Sequence, residues 1–159
     1  MKISEFLTLE EATKSNTAIA KGIANVPTAE HLANMKHVAT EVFDPVRRFV
    51  DGPLYASSFY RSPELNTAIG GSSKTSQHMK GEAIDIDCDH YGNSTNKAIF
   101  DFILTKLIFD QLILEYPDIT GKPSWVHVSL RRDGNNRREV LVKLKTKYIP
   151  FSAWRAGMT

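Results

Sequence analysis

A histidine, a glycine and a carboxylate stand close together in Ser76-Gln77-His78-Met79-Lys80-Gly81-Glu82-Ala83-Ile84-Asp85-Ile86-Asp87, where Asp85 interrupts an apolar alternation. A second histidine interrupts another alternation in Trp125-Val126-His127-Val128-Ser129. Residues two apart on a strand share a face, so Asp85 and Asp87 lie together, as do Trp125, His127 and Ser129. If these strands pair, Asp85 and His127 converge on one point, and a turn at Gly81 folds His78 back over it. A hydrolytic zinc ion is commonly held by three groups drawn from histidine and carboxylate, with a fourth position left for water. His78, Asp85 and His127 are therefore candidate ligands of Zn2+. His90 is the nearest competitor, but it follows the strand into a turn-like segment. His31 and His37 read as isolated structural histidines of a helix.

Hydrolysis at such a centre also needs a group that takes a proton from water and passes it to the leaving amine. Glu115 is the candidate: it ends the apolar run that starts at Phe109, where burial would raise its pKa toward that task. Asp87 and Asp118 are its rivals. Arg61, at the end of a strand-like segment, offers a planar fork for a developing oxyanion or a substrate carboxylate. Tyr60, Ser76, Gln77 and Trp125 are candidate substrate-binding residues by adjacency.

The elements that must position these side chains follow from local pattern. Thr8-Leu9-Glu10-Glu11 fits a capping box opening a short helix through about Ser15. From Thr28, Leu32, Met35, Ala39, Val42, Phe43, Val46, Phe49 and Val50 recur at helical spacing, with Pro45 predicting a kink or break near Asp44. Residues 54–60 read as a strand. Ser62-Pro63 opens a helix closed by Gly70-Gly71, and a polar loop then delivers His78. Residues 83–88, 109–116 and 125–130 are predicted strands, and Asn93-Ser94-Thr95 caps a helix between the first two. Asp133-Gly134 signals a hairpin leading to a strand over 139–146. The expected fold is α+β: one domain over residues 1–159, with helices first and then a mainly antiparallel sheet carrying a packed helix.

The chain's 159 residues can bury a core unaided, and its 42% apolar and 24% charged residues are ordinary for a globular domain. A net charge of +2 is too mild to make nucleic acid the main partner, and the cations between Arg131 and Lys147 read as a solvated hairpin. One cysteine, Cys88, excludes an intrachain disulfide and a multi-cysteine zinc site. No window suits a membrane span, and the first residues lack the apolar core of a signal peptide, so synthesis in the cytoplasm is expected.

Taken together, Ser58-Phe59-Tyr60-Arg61-Ser62, the stretch 66–71, Ser76-Gln77-His78 with Gly81-Glu82-Ala83-Ile84-Asp85, and Trp125-Val126-His127 resemble the zinc D-alanyl-D-alanine carboxypeptidase family, peptidase M15. The likeness is to its small phage and bacterial members. It implies the fold shared by these carboxypeptidases and the hedgehog signalling domain, zinc on His78, Asp85 and His127, and Arg61 in the substrate site. Many members place the catalytic acid three residues before the last histidine, where this chain has Ser124. The resemblance is then to the hedgehog-type spacing, with the acid on the preceding strand, which favours Glu115. The implied activity is cleavage of the peptidoglycan stem peptide, at a D-Ala-D-Ala terminus or an internal L-Ala-D-Glu bond, as in a phage endolysin. Such an enzyme, expected to be a monomer, would reach the cell wall after release by another factor. The alternative is a non-catalytic, zinc-stabilised binding module.

Overall fold

A computed structural model describes residues 1–70 and 72–157. The chain begins with two short helices, α1 (Leu9–Thr13) and α2 (Asn16–Lys21). Thr8 and Glu11 close the expected capping box, whereas α2, capped by Ser15, has too little apolar periodicity to be visible in the sequence. Next come α3 (Ala29–Val38), one π turn (Ala39–Phe43) and α4 (Asp44–Val50), running on without a break. Pro45 lacks an N–H and crowds the carbonyl one turn back, and the widened π turn just before it accommodates both demands. Asp44, at this junction, is 2% exposed and accepts hydrogen bonds from Ser4 Oγ (2.7 Å) and the Glu5 N–H (3.0 Å). Phe49 leaves the predicted buried stripe: it is exposed and stacks on Phe102 at 4.4 Å.

Strand β1 (Tyr55–Ser58) and helix α5 (Pro63–Ala68) follow. Helix α5 already ends at Ile69 in extended conformation, and Gly71 of the expected glycine stop lies outside the described residues. The supposed loop before the second strand contains a 3-10 turn, Gln77–Lys80. Then come β2 (Ala83–Asp87), α6 (Asn96–Lys106), β3 (Gln111–Glu115), β4 (Trp125–Ser129), β5 (Glu139–Lys143), β6 (Tyr148–Pro150) and α7 (Phe151–Gly157). The last two elements had no reading in the sequence.

Six strands form one sheet in the order β1-β2-β4-β3-β5-β6. The sheet is mixed rather than mainly antiparallel, because β5 runs parallel to β3. The Asp133-Gly134 hairpin is overturned for the same reason: β4 pairs with β2 and β3, so the chain crosses over β3 before β5 joins the sheet. Ile84, Ile86, Val126, Val128, Leu112 and Leu114 are each 0% exposed. They pack with Met35, Phe43, Ile99, Phe100 and Ile103 of the long helices into one core. The intervening residues of the same strands are thereby lifted onto the opposite face.

Candidate metal centre

Asp85 and His127 are direct partners across β2 and β4, and His127 is in turn the partner of Ile113 on β3. His78 reaches them from the 3-10 turn. Ser76 caps that turn by accepting the His78 N–H at 3.3 Å, and the turn ends at Gly81 with φ +70°. A Cβ at Gly81 would meet the His31 carbonyl at 2.5 Å and Met35 Cγ at 2.7 Å. Glycine thus supplies both the left-handed turn and the close seat on α3. The Arg61 N–H donates to the His78 carbonyl at 3.1 Å, tying the turn to the end of β1.

The three side chains fit a metal ion by two tests. The Phe59 carbonyl lies 2.6 Å from His78 Nδ1; a carbonyl can only accept, so Nδ1 carries the proton and Nε2 presents its lone pair. That Nε2 is buried, has no hydrogen-bond partner and faces Asp85 Oδ2 at 3.4 Å. On the other side Asp85 Oδ1 lies 2.9 Å from His127 Nδ1. Ligands held about 2.0–2.1 Å from a tetrahedral ion are about 3.3–3.4 Å apart, close to these separations. One ligand atom from each residue falls within 4.8 Å of the others, the one such group found among the described residues. Burial, opposed by Asp85, pushes the His78 pKa down, which keeps the ring in its ligating neutral form. Burial acts against ionisation of Asp85, yet His78 and His127 outweigh it and hold the carboxyl far below the usual carboxylate range. His90 lies outside the group, stacked on Tyr55 at 4.0 Å.

Glu115 sits one cleft-facing position along β3 from Ile113, opposite Trp125 on β4. It is 7% exposed, and burial pushes its carboxyl up to about 7, Asp85 adding to the shift while His127 and Lys143 oppose it. Its two rivals are engaged elsewhere. Asp87 accepts from the Asp89 N–H and the Asn96 amide (3.0 Å each), and Asp118 is folded onto Thr120 and the Lys122 N–H. Ser124 closes the end of the β3–β4 pair, its N–H on the Glu115 carbonyl (2.8 Å) and its hydroxyl on the Tyr116 carbonyl (2.9 Å). Arg61 Nε is buried and has no hydrogen-bond partner; burial lowers its pKa while Asp85 works to raise it.

These groups open into a cleft of about 1010 Å³ that includes Arg61, Ser76, Gln77, Glu115, Trp125 and the three candidate ligands. Tyr60 is the exception. It is 3% exposed, has its hydroxyl 3.4 Å from His31 Nδ1, and does not line this cleft. Gln77 has a second duty, donating to Asp110 Oδ2 at 3.1 Å. Asp110 was missed in the sequence. Its side chain is fully buried, and it holds Arg137 through Nε (3.1 Å) and a terminal nitrogen (2.8 Å), so that the His78 turn is braced against the segments leading into β3 and β5. Lys143 and Tyr148, which also line the cleft, were missed too, because only the parallel pairing of β5 places Lys143 beside Glu115.

No curated protein matches the chain. A family model described as peptidase M15 matches residues 5–129, which covers most of the chain and includes Arg61, Glu115 and all three candidate ligands. The chain belongs to the peptidase M15 family.

Proposed function

We propose that this protein is a zinc-dependent metallopeptidase, a single domain over residues 1–159, that hydrolyses a peptide bond in the peptidoglycan stem peptide. The observation that carries this reading is the convergence of His78, Asp85 and His127 on one face, with the raised carboxyl of Glu115 a single cleft-facing position away on the neighbouring strand. Zinc bound by these three residues supplies a Lewis acid for the scissile carbonyl and lowers the pKa of water toward neutrality. Glu115, with its pKa near 7, takes the proton from the attacking water and returns it to the leaving amine. Arg61, whose buried Nε is without a partner, meets negative charge on the substrate, either the developing oxyanion or a carboxylate. Trp125 and Ser76 line the walls.

The cleft has an excess of cations, including Lys80, Arg131, Arg137, Lys143 and Lys145, and this suits a peptide bearing carboxylates. D-Ala-D-Ala termini and internal L-Ala-D-Glu bonds both meet that description. Among the described residues no helix is long and apolar enough to cross a membrane. The site of action proposed is the cell wall, reached after release by a separate factor, as for a phage endolysin. The fold proposed is that shared by these carboxypeptidases and the hedgehog signalling domain.

The test is zymography on purified cell walls with metal-loaded protein, followed by mass spectrometry of the released muropeptides. Wild type is expected to clear the walls and leave new peptide termini, whereas His78→Ala and Glu115→Gln are not. Absence of clearing by metal-loaded wild type would falsify the activity, and clearing by Glu115→Gln at the wild-type rate would remove Glu115 as the base.

A further inference from the structure

A second cavity, of about 510 Å³, meets the metal-centre cleft at Arg61, Ile69 and Asp85, which line both. The candidate metal ligands therefore lie partway along a groove with two arms, and the arms differ in chemistry. The first carries the excess of cations described above. The second runs past the edge strand β1 toward the turn after β2, and apart from the shared pair its charged residues are Glu11 and Lys14. Four rings line it, Tyr60 and a cluster of three: Tyr55 stacks on His90 with centroids 4.0 Å apart and planes at 17°, and Tyr91 stands edge-on to both. Tyr91 is 52% exposed, far more than a ring placed for packing. Facing the rings are Ser15, Asn16 and Thr17 at the start of α2, and neither the Asn16 amide nor the Thr17 hydroxyl has a hydrogen-bond partner among the described residues.

A groove in which two acids and two bases leave no excess of either charge, with aromatic rings and unengaged amide and hydroxyl groups, matches a sugar. The C–H face of a pyranose carries positive edge charge that complements the negative face of an aromatic ring, while its hydroxyl and N-acetyl groups need donors and acceptors around the rim. A peptide carboxylate finds no counter-charge there beyond Lys14 and the shared Arg61. We infer that the second arm is a carbohydrate subsite, taking an N-acetylated amino sugar of the glycan strand while the cationic arm takes the acidic stem peptide. This assignment of the two arms rests on the peptidoglycan reading given above. It orients the substrate across the metal centre and favours cleavage of a bond near the sugar-linked end of the stem.

Two measurements on the full chain test the inference. In the first, kcat/KM is compared for a stem peptide still joined to its disaccharide and for the same peptide free. The joined substrate is expected to be preferred by about tenfold, mainly through KM, and Tyr91→Ala is expected to bring the ratio close to one. In the second, the metal-free protein is titrated with N-acetylchitotriose by NMR, with shifts expected at Tyr55, His90 and Tyr91 and their loss in Tyr91→Ala. Equal kcat/KM values for wild type together with no shifts at those rings overturn the subsite and leave the peptidase reading intact. If neither peptide is cut, the peptidase reading fails, and the titration alone decides whether the arm holds a sugar.

Discussion

Strands β2, β4 and β3 have two faces built from the same alternating residues, and the faces meet opposite physical demands. On one, Ile84, Ile86, Val126, Val128, Leu112 and Leu114 are excluded from water and gain stability in proportion to the area they bury. On the other, Asp85, His127 and Glu115 are held at low exposure although each would be better solvated outside. Asp85 is compensated by two histidines, and Glu115 by becoming easier to protonate. The contrast separates stability from chemistry within single strands. Substitutions on the core face should melt the protein, and substitutions on the cleft face should silence it while leaving it folded.

The sharpest way to break this contrast is to deprive the proposed centre of its metal. Chelation, or His78→Ala, is expected to lower peptidase activity by more than about a thousandfold. The chelated protein should still unfold cooperatively by circular dichroism, because the core is built from side chains other than the three ligands. Loss of the far-UV signal on chelation would make the cleft face part of the fold and support a zinc-stabilised binding module instead.

Replacing Glu115 comes next in size. Glu115→Gln is expected to retain the metal and lose about 10²–10⁴ in kcat. As the proposed base, Glu115 must be ionised, so activity should fall toward acid pH; its carboxyl sits near 7 without metal, and a cation bound beside it would draw the acid limb below that. Stability runs the other way. The folded pKa of about 7 lies above the ordinary 4.5, so between these values the folded state holds a proton that the unfolded chain lacks. The Glu115 contribution should therefore fall by on the order of 2–3 kcal/mol as pH rises across that window, against an opposite contribution from buried His78, whose lowered pKa makes it gain stability as pH rises toward 6.5. Melting curves of wild type and Glu115→Gln at pH 5 and 8 check the sign: the stability of wild type relative to the variant should fall with pH, and a rise contradicts it.

On the core face, Leu114→Ala should cost about 2–5 kcal/mol and lower the melting temperature by roughly 10 °C. The protein that stays folded at 20 °C should keep kcat within a few-fold of wild type. A collapse of kcat without a fall in melting temperature would show that the two faces are not separable.

The residues of this contrast were largely readable from alternation alone. A carboxylate or histidine inside an apolar strand pattern points to the face opposite the core, and that placed Asp85, His127 and Glu115 where the structure has them. What could not be read is whatever depends on which strands are neighbours. Asp133-Gly134 has the local chemistry of a hairpin turn, but both edges of β4 are occupied by β2 and β3, so β5 pairs beside β3, with Val142 in the core. With that pairing unseen, the sheet was misjudged as mainly antiparallel and Lys143 was overlooked. Asp110 escaped because nothing local shows that Arg137 and Gln77 would reach it. Tyr60 lies outside the metal-centre cleft and lines the second cavity instead, because adjacency to Arg61 does not decide which cavity a side chain enters.

Lys143 offers the finest adjustment of the contrast. It is the register partner of Glu115 on the parallel strand, and its ammonium sits 4.1 Å from the centre of the Tyr148 ring. Both residues lie beyond the family-matched segment, yet the charge of Lys143 opposes the burial that drives the Glu115 pKa upward. Lys143→Met keeps most of the side chain's bulk and deletes the charge, so Glu115 should become still easier to protonate. The acid limb of the pH profile of kcat/KM is then expected to move to higher pH, with the loss of rate greatest below pH 7 and shrinking above it. The Glu115 contribution to the stability slope of the metal-free protein should extend to higher pH as well, since the deleted charge acts on the same carboxyl. An acid limb that stays in place while the stability slope moves would mean that the group titrating in catalysis is not Glu115.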